Sequence, residues 1–139
     1  MRRLIPIVLA LAATAVVVPQ VLAATHDATP VIKWTKAPKF GAVLATKGHL
    51  ALYTWNAEKD KKVHCTGACA KAWPPLTVAH GTMVAKHIPG VMGTFGEIMR
   101  PDGRTQVTYN GRPLYTFNED SPTKILCNGV DGWFVVRPH

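Results

Sequence analysis

The chain has 139 residues, with 16 lysines and arginines against 8 aspartates and glutamates, and a formal net charge of +8. This length suits one domain with a modest core and excludes a large multidomain assembly. The lysines are scattered, only the run 59–62 clusters them, and no nucleic-acid-binding motif accompanies them. The charge therefore indicates a solvated surface weakly attracted to anionic membranes or wall polymers, and nucleic-acid binding is not expected.

The first 23 residues have the pattern of a secretory signal peptide. Arg2 and Arg3 precede an apolar run over 4–18, and small residues at 21 and 23 occupy the positions that signal peptidase reads. The run of about 15 residues is shorter than the ~20 that a membrane span needs, so a transmembrane anchor is the weaker alternative. Cleavage would start the mature chain at Ala24, with no transmembrane segment and no cysteine nearby for lipid attachment.

Apolar runs separated by turn signals predict β-strands in the rest of the chain. The runs 40–46 and 49–55 flank Lys47-Gly48, which is a hairpin pattern. The alanine-rich segment 66–72 ends before Pro74, and this predicts one or two helical turns.

The second half of the chain has clearer turns. Pro101-Asp102-Gly103 combines a proline that presets φ with a glycine that accepts positive φ, and Asn110-Gly111 is a strong signal for a two-residue hairpin. The strands expected around these turns are 95–100, 105–109, 112–117 and 133–136.

One segment of the chain occurs twice. Leu-Tyr-Thr-Trp-Asn at 52–56 returns as Leu-Tyr-Thr-Phe-Asn at 114–118, a period of 62 residues from Tyr53 to Tyr115. A unit of three or four short strands cannot bury its apolar face alone. We therefore expect an all-β fold in which two antiparallel β-meander units pack with pseudo-twofold symmetry. The expected organisation is a signal peptide over 1–23, an N-terminal extension over 24–39, repeat 1 over 40–79, a linker over 80–93 and repeat 2 over 94–138, with both repeats in one compact domain.

These repeats resemble the bacterial "secreted repeat of unknown function" family, which is described as predicted lipoproteins with a Tyr-x-(Phe/Trp/Tyr)-x-x-Asp motif. The resemblance covers roughly 40–138 and implies an exported protein, periplasmic or secreted, without an agreed biochemical activity. The chain departs from the family pattern in the first repeat's acid, in the absent lipidation motif, and in a cysteine where relatives have a glycine. The matching motif residues are Tyr53, Trp55 and Glu58 in repeat 1 and Tyr115, Phe117 and Asp120 in repeat 2.

The two motif carboxylates, Glu58 and Asp120, lie five residues past a strand tyrosine, in the loop that leaves the strand. Acidic side chains at such positions accept hydrogen bonds from backbone N–H groups and organise turns. The alternative is a calcium site, which needs six or more oxygens, and the candidates are Asn118, Glu119, Asp120 and Asp131. We also expect the motif aromatics and Trp73 and Trp133 in or beside the core, with a ligand-stacking platform as the alternative.

Three cysteines in an exported chain allow one internal disulfide and one remaining thiol. A Cys65–Cys69 bridge is the expected pairing in an oxidising compartment. A bridge from Cys127 to either of them, which would join the two repeats, is a competing alternative. Cys127 would otherwise remain free and available for a disulfide-linked dimer.

A copper-binding interpretation rests on two features. The Cys-x-x-x-Cys spacing beside His64 is similar to that of exported Cu(I) carriers, in which soft thiolates hold the metal. A mature terminus Ala24-Thr25-His26 would supply an amine, two amides and an imidazole, the square-planar nitrogen set that Cu(II) favours. This alternative takes His64, Cys65 and Cys69 as metal ligands.

No motif typical of hydrolases, metalloproteases or nucleotide-binding enzymes is present. We therefore expect a protein that is not an enzyme and has no cofactor, most simply a non-catalytic binding or envelope-associated module with an unknown envelope or extracellular ligand. The alternative is a periplasmic protein that handles copper or thiol redox chemistry.

Overall fold

The computed structural model describes residues 29–138, so the expected signal peptide and the Ala24-Thr25-His26 terminus lie outside the described residues. Within that range the fold is mostly β, as the sequence predicts. The strands are β1 (Val31–Ala37), β2 (Gly41–Thr46), β3 (Tyr53–Trp55), β4 (Thr77–Val78), β5 (Phe95–Met99), β6 (Thr105–Tyr109), β7 (Arg112–Pro113) and β8 (Trp133–Val135).

Antiparallel pairing groups these strands into three small sheets in the described range. β1 pairs with β2, β3 pairs with β8, and the third sheet has the order β4-β6-β5, with β7 also pairing with β6. The hairpin predicted around Lys47-Gly48 is present, because the Leu52 N–H donates to the Leu44 carbonyl over 2.9 Å. β1, in contrast, lies in the segment that the sequence assigned to an N-terminal extension, where exposed lysines obscure its alternation.

The two repeats complete each other's sheets. β3 of repeat 1 pairs with β8 of repeat 2, which places Tyr53 opposite Val135 and Trp55 opposite Trp133. β4, also in repeat 1, pairs with β6 of repeat 2. Two of the three sheets therefore contain strands from both repeats, a pairing between the repeats that the sequence does not predict.

The buried side chains form two clusters, one mostly aliphatic and one mostly aromatic. Neighbouring residues of a strand point to opposite faces. Leu52 and Leu114 accordingly belong to the aliphatic cluster, while the tyrosines that follow them, Tyr53 and Tyr115, belong to the aromatic cluster. The buried aliphatic cluster also contains Val31, Leu44, Val84, Val91, Val107 and Val136, together with two aromatic residues, Phe95 and Tyr109.

The helix α1 (Ala68–Ala72) lies within the segment 66–72 where the sequence predicts helical turns. It begins after Gly67, whose φ of +57° is a left-handed conformation that glycine adopts without steric cost. A 3-10 turn over Asn56–Glu58 follows β3 directly. Among residues 29–138 no helix has the length and apolar character to cross a membrane.

Candidate functional site

The repeats meet at Tyr53 and Tyr115, the tyrosines of the two motifs. The Tyr53 N–H donates to the Tyr115 carbonyl over 2.8 Å, and the Tyr115 N–H donates to the Tyr53 carbonyl over 3.0 Å. Both residues are fully buried. This reciprocal antiparallel bridge fixes the register of one repeat against the other.

The motif side chains are exchanged between the repeats. The Tyr53 hydroxyl donates to Asp120 Oδ2 over 2.6 Å, and the Tyr115 hydroxyl donates to Glu58 Oε1 over 2.8 Å. Each tyrosine therefore bonds the carboxylate of the other motif, not that of its own. The spacing of five residues within a motif places the acid at the partner tyrosine only after the repeats have assembled.

The same two carboxylates accept backbone hydrogen bonds from the loops that follow them. Glu58 Oε1 accepts from the N–H groups of His64 and Cys65 over 2.7 and 3.0 Å. Asp120 Oδ1 accepts from the Leu126 N–H over 2.9 Å. His64 and Leu126 each lie six residues past the acid, so the two loops are tied in corresponding ways.

The two carboxylates differ in burial. Glu58 is 0 % exposed, and its Oε2 has no hydrogen-bond partner within residues 29–138. Asp120 is partly buried, and this burial raises its carboxyl pKa, although hydrogen bonds from Tyr53 and Leu126 act in the opposite direction. Burial, with the neighbouring carboxylates, also raises the pKa of both Tyr53 and Tyr115, so the hydroxyls remain donors at physiological pH.

A buried arginine, Arg100, donates a hydrogen bond to the backbone of the loop that follows Glu58. Arg100 is 2 % exposed and donates from Nη1 to Gln106 Oε1 over 2.6 Å and from Nη2 to the Cys65 carbonyl over 2.8 Å. Gln106 in turn donates to the Leu114 carbonyl over 2.7 Å. Sequence reasoning did not single out either residue, because an arginine before a turn and a glutamine in a strand both look like surface positions.

Stacked indole rings fill the aromatic cluster. Trp133 is stacked on Trp73 with ring centroids 3.9 Å apart and on Trp55 with centroids 5.2 Å apart. Tyr53 meets Trp73 edge-on, and Tyr115 meets Trp133 edge-on, both at 5.1 Å. Edge-on contacts at this separation are favourable aromatic geometries. Trp73 and Trp133 are buried, whereas Trp55 and Phe117 are partly exposed.

The cysteines adopt the first of the pairings weighed above. Cys65 and Cys69 form a disulfide with an S–S distance of 2.00 Å, and Cys127 is a partly buried free thiol. Burial raises the pKa of this thiol, and the negative charge of Asp120 acts in the same direction. The competing bridges from Cys127 are not formed.

The remaining candidate ligands are dispersed. His64 Nε2 lies 2.7 Å from Asp60 Oδ2, and the neighbouring Cys65 is engaged in the disulfide. Within residues 29–138, no group of three or more histidine, cysteine, aspartate or glutamate side chains is placed to hold a metal ion. The Ala24-Thr25-His26 terminus lies outside the described range.

These observations define a class, a two-repeat β protein whose repeats exchange strands and motif side chains. The family model described as "Secreted repeat of unknown function" matches residues 35–77 and 96–137. The chain belongs to this family, and the description supports export. Comparison with curated proteins and with solved structures gives no match.

Proposed function

We propose that the protein is an exported, non-catalytic binding module that associates with anionic groups of the cell envelope or of an extracellular ligand. The inward position of the motif residues supports a structural role for them. Tyr53, Tyr115, Glu58 and Asp120 all bond other parts of the same chain. Recognition would then fall to side chains at the surface.

The observation that carries this proposal is the excess of cations without acidic partners. Ion pairs within residues 29–138 involve His64 with Asp60, and Arg100 and Arg104 with Asp102, and none involves a lysine. Exposed cations near an anionic membrane each contribute attraction of ~1 kcal/mol. The signal-peptide cleavage expected from the sequence would remove Arg2 and Arg3 and leave most of the +8 charge in place.

Co-sedimentation of the exported protein with lipid vesicles tests the proposal. Vesicles rich in phosphatidylglycerol should retain the protein at 50 mM salt and release much of it at 500 mM, because salt screens attraction between exposed charges. Phosphatidylcholine vesicles should retain little at either concentration. Equal retention by both vesicle types, or no retention by either, would contradict the proposal.

The copper alternative requires a different oxidation state of Cys65 and Cys69. Cu(I) binding through thiolates would require both cysteines to be reduced, whereas they form a disulfide here. Copper titration of the oxidised and the reduced protein, with Cys65→Ser as the control, separates this alternative from the binding module.

A further inference from the structure

We infer that the cleft beside the β6–β7 turn is a binding site for a phosphate-type oxyanion, an inference that rests on the proposed function and names its ligand class. The cleft has a volume of about 240 Å³ and lies where this turn meets the segment after β8. Its lining residues are Thr54, Tyr109, Asn110, Arg112, Val136 and Arg137. Among residues 29–138 its lining includes two arginines and no aspartate or glutamate.

Arg112 is held in place but retains free donor groups. Its Nη2 donates to the Trp55 carbonyl over 2.7 Å, which positions the guanidinium. Its Nε is buried and has no hydrogen-bond partner within residues 29–138. A buried, unpaired donor on a charged group is costly, and a ligand oxygen would offset that cost. Burial also lowers the pKa of Arg112, although nearby Glu58 opposes this.

Two further cations lie around this arginine. Arg137 lines the cleft, and its guanidinium carbon is 5.5 Å from the centre of the Phe40 ring, a cation–π contact. The aliphatic stem of Lys61 lies across Gly111, immediately before Arg112, where an added Cβ would approach Lys61 Cδ to 2.8 Å. Neither Lys61 nor Arg137 forms an ion pair in the described part of the chain.

Charge and size favour a phosphate group as the ligand. Glu58, the acid whose charge acts on Arg112, is buried, and its Oε1 accepts from Tyr115, His64 and Cys65. Arg112 and Arg137 at the cleft and Lys61 beside it therefore outnumber this acid, and the inorganic phosphate dianion matches their charge better than a monovalent carboxylate does. Arginine binds phosphate oxygens in a forked geometry. A cleft of about 240 Å³ is smaller than the 300–1,000 Å³ typical of pockets for drug-sized ligands, which favours a small anion or a lipid headgroup.

The test uses the full exported protein and two double variants of equal charge. Arg112→Gln/Arg137→Gln removes two cations from the cleft, and Lys33→Gln/Lys36→Gln removes two exposed cations from β1. Inorganic phosphate is titrated at constant ionic strength and followed by amide and arginine Nε NMR shifts, with acetate as the comparison anion. Phosphatidylglycerol vesicles form a second arm, which distinguishes a lipid headgroup from free phosphate.

The expected result is saturable phosphate binding that weakens at least 10-fold in the cleft variant and changes less than 2-fold in the β1 variant. Equal weakening in both variants, or wild-type shifts that do not saturate, would overturn the site. If phosphate binding weakens but vesicle binding persists in the cleft variant, the site takes free phosphate and not a lipid headgroup. If neither weakens in the cleft variant, the site fails and the proposed function stands. If the wild type binds neither vesicles nor phosphate, both fail. Arg137→Gln and Lys61→Gln alone, at exposed positions, provide a second readout should Arg112→Gln impair folding.

Discussion

Tyr53 and Tyr115 donate a backbone hydrogen bond to each other, over 2.8 and 3.0 Å, at the point where the two repeats meet. Their hydroxyls donate to different carboxylates, that of Tyr53 to Asp120 and that of Tyr115 to Glu58. A motif that looks local in the sequence is therefore satisfied only between repeats. This explains why tyrosine and acid occur together twice, because each half supplies what the other half needs.

Removal of the tyrosine hydroxyls should destabilise the two repeats unequally. Tyr115→Phe removes one of the three donors to Oε1 of the fully buried Glu58, and the loss of such a buried hydrogen bond costs ~1–3 kcal/mol. Tyr53→Phe leaves the partly buried Asp120, which regains water, so a loss of about 0.5–1.5 kcal/mol is expected. Urea unfolding of both variants measures the free energies of unfolding.

A double-mutant cycle separates this effect from a general loss of packing. Tyr115→Phe combined with Glu58→Gln should cost less than the sum of the single variants, because the two side chains interact directly. Additive costs, or a larger loss for Tyr53→Phe than for Tyr115→Phe, would mean that the buried hydroxyl–carboxylate bond is not the main stabilising contact.

Asp102 should make stability depend on pH in the acid range. Hydrogen bonds from Arg104, and then from Arg100, lower the pKa of this carboxyl in the folded protein. The folded state therefore binds the proton less readily than the unfolded chain. The resulting stabilisation is present above the ordinary aspartate pKa of about 3.9 and is lost as the pH falls below it.

Replacement of Asp102 by asparagine should remove that contribution. Asp102→Asn is expected to lower the free energy of unfolding at pH 7 and to flatten its decline below about pH 4, with unfolding measured in urea from pH 2 to pH 7. Arg100, whose side chain is 0 % exposed, would face a neutral amide in place of a carboxylate in the variant. Wild-type and variant curves that run parallel through the acid range would show that Asp102 contributes nothing through its ionisation.

The sequence predicts the two repeats and the positions of their aromatic residues, because the segment around Tyr53 recurs almost unchanged around Tyr115. It does not predict that Tyr53 bonds Asp120 rather than Glu58. Both acids lie at suitable distances along the chain, and the choice depends on the register between repeats. Arg100 was missed for a related reason, since its burial depends on the Cys65 carbonyl, which is distant in sequence.

Cys127 should be the only thiol that reacts in the unreduced protein. Cys65 and Cys69 are paired, and burial with the neighbouring Asp120 raises the pKa of the Cys127 thiol. Because the thiolate is the reactive form, alkylation by iodoacetamide should be slow near pH 7 and accelerate as the pH rises. Mass spectrometry should find one modified cysteine per chain, and none in Cys127→Ser.

The same mass measurement tests the alternatives. Three modified cysteines without reductant would contradict the disulfide and favour the copper or thiol-redox interpretation. A non-reduced mass of twice the chain, lost in Cys127→Ser, would show the disulfide-linked dimer considered from the sequence. We expect a monomer mass with one disulfide.

Gly111 offers a comparison of backbone strain with side-chain contact. It has a φ of +79°, and an added Cβ would approach Lys61 Cδ to 2.8 Å, whereas Gly103 has a φ of +81° with open space around it. An alanine in this left-handed region costs ~1–2 kcal/mol, so Gly103→Ala and Gly111→Ala should both lose about that amount in urea unfolding. The two losses should be similar, because Lys61 is exposed and its side chain can move away. A much larger loss for Gly111→Ala, which the additional change Lys61→Ala reverses, would instead show that the Lys61 side chain is held firmly over the turn beside Arg112.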